Sequence, residues 1–419
     1  MSLRFPLLLA TLLLALPLFA ATRMTFEING APTAIAWAPE AFPLRYEIDP
    51  KVVAAHPSAR EMVERAFTAW TEIPDARVQF APVASDGSTT EKIRVSLAAG
   101  LFRDQGAAAV TTYTFDATNG RMLKASIQVD QALFDGAVNA PLALHHEVGH
   151  TLGLDHSAVI SAVMYPYVSA GSGPAELDSD DVIAIRAAYS QIEPPMLGAT
   201  LTGRVVGDSG GIYGGQVVAV NELGHAVGTV LTNSAGEFTL TGIPRGRYRL
   251  YVEPLDGPVS PDALQGSWRQ AKSFSFPTEF FNSPLEVESG KVYGNLVLTT
   301  TGLIALNPRW VGSAAVSSHE ISLSSAPISV KPGDTFTLAV GGDGFTSGMT
   351  QFEVLNPSFR RTSDFSWAAN YVRATYTLEG DALPGSAVIL VQSGTEAAAL
   401  TGALRVHRPA AARSRVVRR

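Results

Sequence analysis

The sequence predicts an α+β domain of five strands and three helices, followed by two all-β sandwich domains. Three observations predict it. Between residues 44 and 190, runs with the two-residue alternation of strands interleave with runs of helical spacing. At Glu193-Pro194-Pro195 that texture stops at what reads as a linker. Beyond it, short β-rich runs alternate with turn signals such as Asn233-Ser234-Ala235-Gly236, and helical periodicity almost vanishes.

The elements follow in order. Leu44–Ile48 alternates like a strand. Ser58-Ala59-Arg60-Glu61 has the spacing of a capping box and opens a helix, with Met62, Ala66, Phe67 and Trp70 on one face. Strand-like runs follow at 78–83, 93–98, 110–115 and 126–130. Asn139 and Pro141 suit the N-cap and first turn of a second helix, which Gly153 stops. A third helix opens at Asp178 and runs to about Tyr189. The resulting partition is 22–192 for the mixed domain, 197–301 and 303–408 for the two sandwiches, and 409–419 for a basic tail.

Composition narrows the class. The 419 residues are 16% charged and 46% hydrophobic, enough for several packed cores. A net charge of -7 gives no footprint for nucleic acid. The four arginines among the last seven residues read as a solvated tail. With no cysteine, disulfides, thiolate ligands and thiol catalysis are excluded. Arg4, the apolar run 5–20 and the small residues Ala20-Ala21-Thr22 read as a cleaved export signal over 1–21. A retained anchor is the alternative; Pro6, Pro17 and the lack of a stop-transfer cluster weigh against it. The chain is thus expected to be secreted, monomeric and without stable membrane insertion.

The chemistry concentrates in His146-Glu147-Val148-Gly149-His150-Thr151-Leu152-Gly153-Leu154-Asp155-His156. Four of the eight histidines fall within twelve residues there. Residues four apart share a helix face, so His146 and His150 aim at one point. Gly153 can take a left-handed conformation that turns the chain and brings in His156. Three imidazoles with an open fourth position suit a catalytic zinc, which would activate a water and polarise a carbonyl. Glu147, on the flank of that face, is placed as general base rather than ligand. His145 points off the face and reads as a surface or supporting residue.

This motif is the signature of the metzincin metallopeptidases, and its surroundings resemble the matrixins. Ser157 follows the third histidine, and Ala162-Val163-Met164-Tyr165-Pro166 is similar to the matrixin Met-turn. Leu177-Asp178-Ser179-Asp180-Asp181-Val182 is similar to the start of that family's last helix. The resemblance covers roughly 40–190. It implies an α/β/α-layered zincin domain with a twisted five-stranded sheet, and a zinc endopeptidase acting on protein or peptide substrates. It implies that Met164 floors the imidazoles and that Asp180 and Asp181 tie the last helix to the site. It also implies strand addition of the substrate at a sheet edge, for which Ala107, Ala108, Ala109 and Val110 are the candidates.

There are departures. Without cysteine, the family's cysteine switch is excluded. The segment from 106 to 130 has no histidine for the family's second zinc, so one zinc is expected. Oxygen donors around 116–120 and Asp130 are candidate calcium sites, with a plain loop-turn reading beside them. Tyr167 comes one position early for the usual wall of the S1′ pocket. Residues 198–300 resemble a carboxypeptidase-regulatory-like sandwich and 303–408 an Ig-like or IPT-type module. These modules leave one alternative function: an exported, non-catalytic binding or adhesion protein with a vestigial protease domain.

Overall fold

The computed structural model describes residues 22–407 apart from 30, 85–92, 169–172, 193–195, 272–274 and 319. The export signal at 1–21, the linker at 193–195 and the tail at 409–419 lie outside the described residues.

The chain enters as a hairpin of β1 (Thr25–Ile28) and β2 (Ala31–Ala34). The mixed domain then runs β3 (Leu44–Ile48), α1 (Pro50–Ala55), α2 (Ala59–Thr71), β4 (Phe80–Pro82), β5 (Ile93–Leu97), α3 (Leu101–Gln105), β6 (Ala109–Phe115), β7 (Met122–Val129), α4 (Ala140–Thr151) and α5 (Ser179–Ala188). Its five strands are ordered β4-β3-β5-β7-β6. All neighbours are parallel except β6, which is antiparallel to β7 and forms an edge.

Two details depart from the sequence reading. Among the described residues five helices form rather than three, the short α1 and α3 being additional. Ser58 makes no side-chain cap at α2; a capping box forms instead at α5, between Asp178 and Asp181. Helices α2 and α4 pack on each other, with the Trp70 indole Nε1–H donating to the His145 carbonyl at 2.9 Å, so both lie on one side of the sheet. The α2 periodicity is real: Ala59, Val63, Ala66, Phe67 and Trp70 are its buried stripe. Phe67 stacks on Tyr46 of β3 at 4.0 Å, and burial of such a side chain contributes roughly 1.5–3 kcal/mol.

The C-terminal region is mainly β. One pair of sheets, β8 (Ala199–Gly207) with its partners and β9 (Gln216–Asn221) with its partners, closes over Leu201, Val217, Leu240, Leu250 and Leu298. A second pair spans 307–406 around Leu338, Val340, Ile389 and Leu404. Helix α5 bridges regions. Ala184 and Ile185 join the core of the mixed domain while Ile183 enters the core of the first pair of sheets. No helix among the described residues is long and apolar enough to cross a membrane.

Candidate metal centre

Helix α4 starts where Asn139 caps it, its side-chain oxygen accepting the Leu142 N–H at 3.2 Å. It ends at Gly153, whose φ is +79°. A Cβ there would lie 2.2 Å from the Ile35 carbonyl oxygen, so only glycine fits the turn. The chain then folds back through Leu154 and Asp155 and delivers His156.

The three imidazoles converge. Their ring centroids are 4.6, 5.1 and 4.9 Å apart. Their ligand atoms all lie within 4.8 Å of one another, and among the described residues this is the group of such side chains that could hold a metal. Each Nδ1 faces a backbone carbonyl: Val163 for His146 at 2.8 Å, Leu154 for His150 at 2.8 Å, and Ala263 for His156. A carbonyl only accepts, so each Nδ1 carries the proton and each Nε2 keeps a lone pair for a metal. Burial holds the rings neutral: His146 is pushed down to about 3, His150 well below its ordinary value and His156 below it. Three neutral nitrogen donors fit a zinc site with an open position.

Beside them, the buried Glu147 carboxylate receives the Thr111 hydroxyl, 2.6 Å from Oε2. Burial raises the carboxyl to about 7, against the lowering effect of Thr111. Thr111 lies on β6, so the candidate base is tied to the edge strand.

Met164 lies beneath α4. A Cβ on Gly149 would sit 2.3 Å from the Met164 sulfur and 2.9 Å from the Trp70 ring. Asp181 accepts the N–H groups of Val163 at 2.8 Å, Met164 at 3.1 Å and Asp178 at 2.8 Å. Asp180 accepts the Ser157 hydroxyl at 2.7 Å and the Thr229 hydroxyl of the first sandwich at 2.8 Å. Burial raises Asp180 to about 6 and Asp181 to about 7. The far sandwich also reaches this turn. Ile160 N–H donates to the Thr401 carbonyl at 2.9 Å, and Arg405 donates to the Ser161 carbonyl at 3.0 Å.

Other expectations change. Of the two readings of His145, surface or supporting, burial rules out the first; its Nδ1 faces the Pro141 carbonyl at 2.6 Å, one helical turn back. The calcium candidates are turn residues. Asp116 accepts from the Thr118 N–H and hydroxyl, and Asp130 from the Ala132 and Phe102 N–H groups. Of the four edge candidates, Ala109 and Val110 are in β6, while Ala107 and Ala108 precede it. Tyr167 is half-exposed beside Tyr165, with ring centroids 5.5 Å apart.

Residues 36–190 match the matrixin family model. Proteins similar to part of this chain include the metalloendoproteinases 4-MMP and 2-MMP of Arabidopsis thaliana. The first is 29% identical over 31% of this chain and 40% of its own length. The second is 27% identical over 40% of this chain and 50% of its own length. The hatching enzyme of Paracentrotus lividus is 30% identical over 31% of this chain and 22% of its own. The chain thus spans about two-fifths to half the length of the first two relatives. At family level these matches support a zinc metalloprotease.

Four participants escaped sequence reasoning: Thr111, Asp155, Ala263 and Gln265. Asp155 stood inside the motif and Thr111 within the edge run, but neither had a partner visible in the sequence. Ala263 acts through its carbonyl, which no residue type signals.

Proposed function

We propose that the protein is a secreted, zinc-dependent metalloendopeptidase acting on protein or peptide substrates. The observation that carries this reading is the convergence of three Nδ1-tethered imidazoles beside the buried Glu147 carboxylate. His146, His150 and His156 would hold one zinc. The ion supplies a Lewis acid and an activated water. Glu147 takes the proton of the attacking water and passes it to the leaving amine. The Thr111 hydroxyl orients the carboxylate for both transfers. Met164, Gly153, Ser157, Asp180 and Asp181 hold the ligand-bearing segments in place.

Strand β6 pairs with β7 alone among the described strands, which leaves a side for an extended substrate to add as a further strand. The partition at 22–192, 197–301 and 303–408 belongs to the same proposal.

The test is Glu147→Ala in the full chain. Zinc should remain bound, by elemental analysis, while hydrolysis of a denatured protein is abolished. Undiminished cleavage by this variant would sink the mechanism.

A further inference from the structure

We propose that the loop 258–271 of the first sandwich is part of the metal centre, its Ala263 carbonyl fixing the third imidazole. The inference rests on the zinc-site reading above and adds a residue outside the matrixin domain to it.

The three tethers are not equivalent in origin. Val163 and Leu154, which orient His146 and His150, belong to the matrixin domain. The carbonyl that orients His156 is 107 residues further along, in a segment the family match does not cover. The loop is held rigidly at that spot. A short turn over Pro261–Ala263 sets the direction of the carbonyl. The Gln265 N–H donates to Asp155 Oδ2 at 2.8 Å, and Asp155 Oδ1 accepts the His156 N–H at 2.7 Å. One carboxylate therefore clips the loop to the ligand's own backbone. The Gln265 side chain accepts the Tyr113 hydroxyl of β6 at 2.9 Å. The loop thus spans from the edge strand to the third ligand.

Its far end is anchored independently. The Trp268 indole donates to the Arg23 carbonyl at 2.9 Å, and the Thr25 and Ser267 hydroxyls lie 2.6 Å apart. Gly266, at φ +58°, comes so close to β1 that a Cβ would fall 1.7 Å from the Thr25 carbonyl oxygen. Leu264 and Trp268 are buried in the same apolar cluster as Ile160 and Tyr165 of the Met-turn. A loop merely resting on the surface needs none of these features.

The consequence follows from ligand chemistry. A tethered Nδ1–H fixes the tautomer and the ring plane and raises the basicity of the other nitrogen. Without Ala263 the ring of His156 is free to rotate, and the metal must order it on binding. Loss of an outer partner of this kind costs about 10–100-fold in metal affinity or activity.

The test uses the full chain and two variants remote from the ligand atoms. Trp268→Ala removes the far anchor. Gln265→Pro, the second variant should the first fail to fold, removes both the N–H that meets Asp155 and the side chain that meets Tyr113. Zinc affinity is measured by competition with a chromophoric chelator. Imidazole protons are followed by long-range proton–nitrogen NMR of the zinc-loaded chain. The parent should show hydrogen-bonded Nδ1–H signals from all three ligands. The variants should lose or shift the His156 signal, keep those of His146 and His150, and bind zinc about 10–100-fold more weakly. Unchanged zinc affinity in the folded variants overturns the inference. A parent chain that binds no zinc overturns the proposed function instead.

Discussion

Asp181 holds the Val163 N–H at 2.8 Å, and the Val163 carbonyl in turn faces Nδ1 of His146 at 2.8 Å. The start of the last helix thus reaches the first candidate ligand through a single residue. Asp181→Ala would orphan three buried N–H groups, those of Val163, Met164 and Asp178. At about 1–3 kcal/mol for each unsatisfied group, the variant should lose several kcal/mol of stability. Urea denaturation checks this, and zinc titration should show weaker binding alongside it.

Thr111→Val tests the orientation of Glu147. The substitution keeps the shape of the side chain and deletes the hydroxyl 2.6 Å from Oε2. A hydrogen bond to a charged group contributes about 1.5–3 kcal/mol, so kcat/KM should drop by roughly one to two orders of magnitude. Zinc content should stay at the parent level. A fall in zinc content would mean the site itself had been disturbed.

Gly149→Ala tests the packing beneath α4. The added methyl meets the Met164 sulfur and the Trp70 ring at distances no real Cβ contact shows. Overpacking a tight core costs about 1–3 kcal/mol. The melting temperature should fall, and a second substitution, Met164→Ala, should recover part of the loss by making room.

Glu253 makes stability depend on pH. It is buried between the two sandwiches, where it accepts from Gln216 at 2.6 Å and Thr401 at 2.6 Å. Burial raises its carboxyl from 4.5 to about 8. A folded-state value above the unfolded one means the contribution is fully present below about 4.5 and is lost as pH rises through about 8. Glu253→Gln, which mimics the neutral form, should remove that loss. The stability difference between parent and variant should grow in the variant's favour across this window, by at most about 1.4 kcal/mol per pH unit. Parallel stability–pH curves would contradict the assignment.

Much of the mixed domain was legible because its signals are local. The 3.6-residue stripe of α2, the Asn139 cap and the Gly153 stop each depend on neighbours within a turn or two. The spacing from His146 to His156 carries the ligand set for the same reason. What escaped depends on tertiary pairing. The β1–β2 hairpin is short, and Pro32 interrupts its pattern. The Ser58 cap had the right spacing but no hydrogen bond, since spacing cannot fix a side-chain rotamer. His145 stayed open between a surface and a supporting position because helix geometry shows only which face it occupies. Burial comes from α2 packing there, with Trp70 bonded to the His145 carbonyl. The loop that meets His156 was invisible because a main-chain oxygen belongs to every residue alike.

The bonds from Thr401 and Arg405 to Ile160 and Ser161 join the start of the Met-turn to the last strand, Glu396–Val406. Polypeptides are made from the N-terminus onward, so Ser161 is synthesised 244 residues before the Arg405 that braces it, and the ligand helix earlier still. A partly made chain therefore carries the histidines, and Asp181 beside Met164, before the strand that braces Ile160 and Ser161. The two contacts at Ile160 and Ser161 therefore form only after the strand Glu396–Val406 has been made.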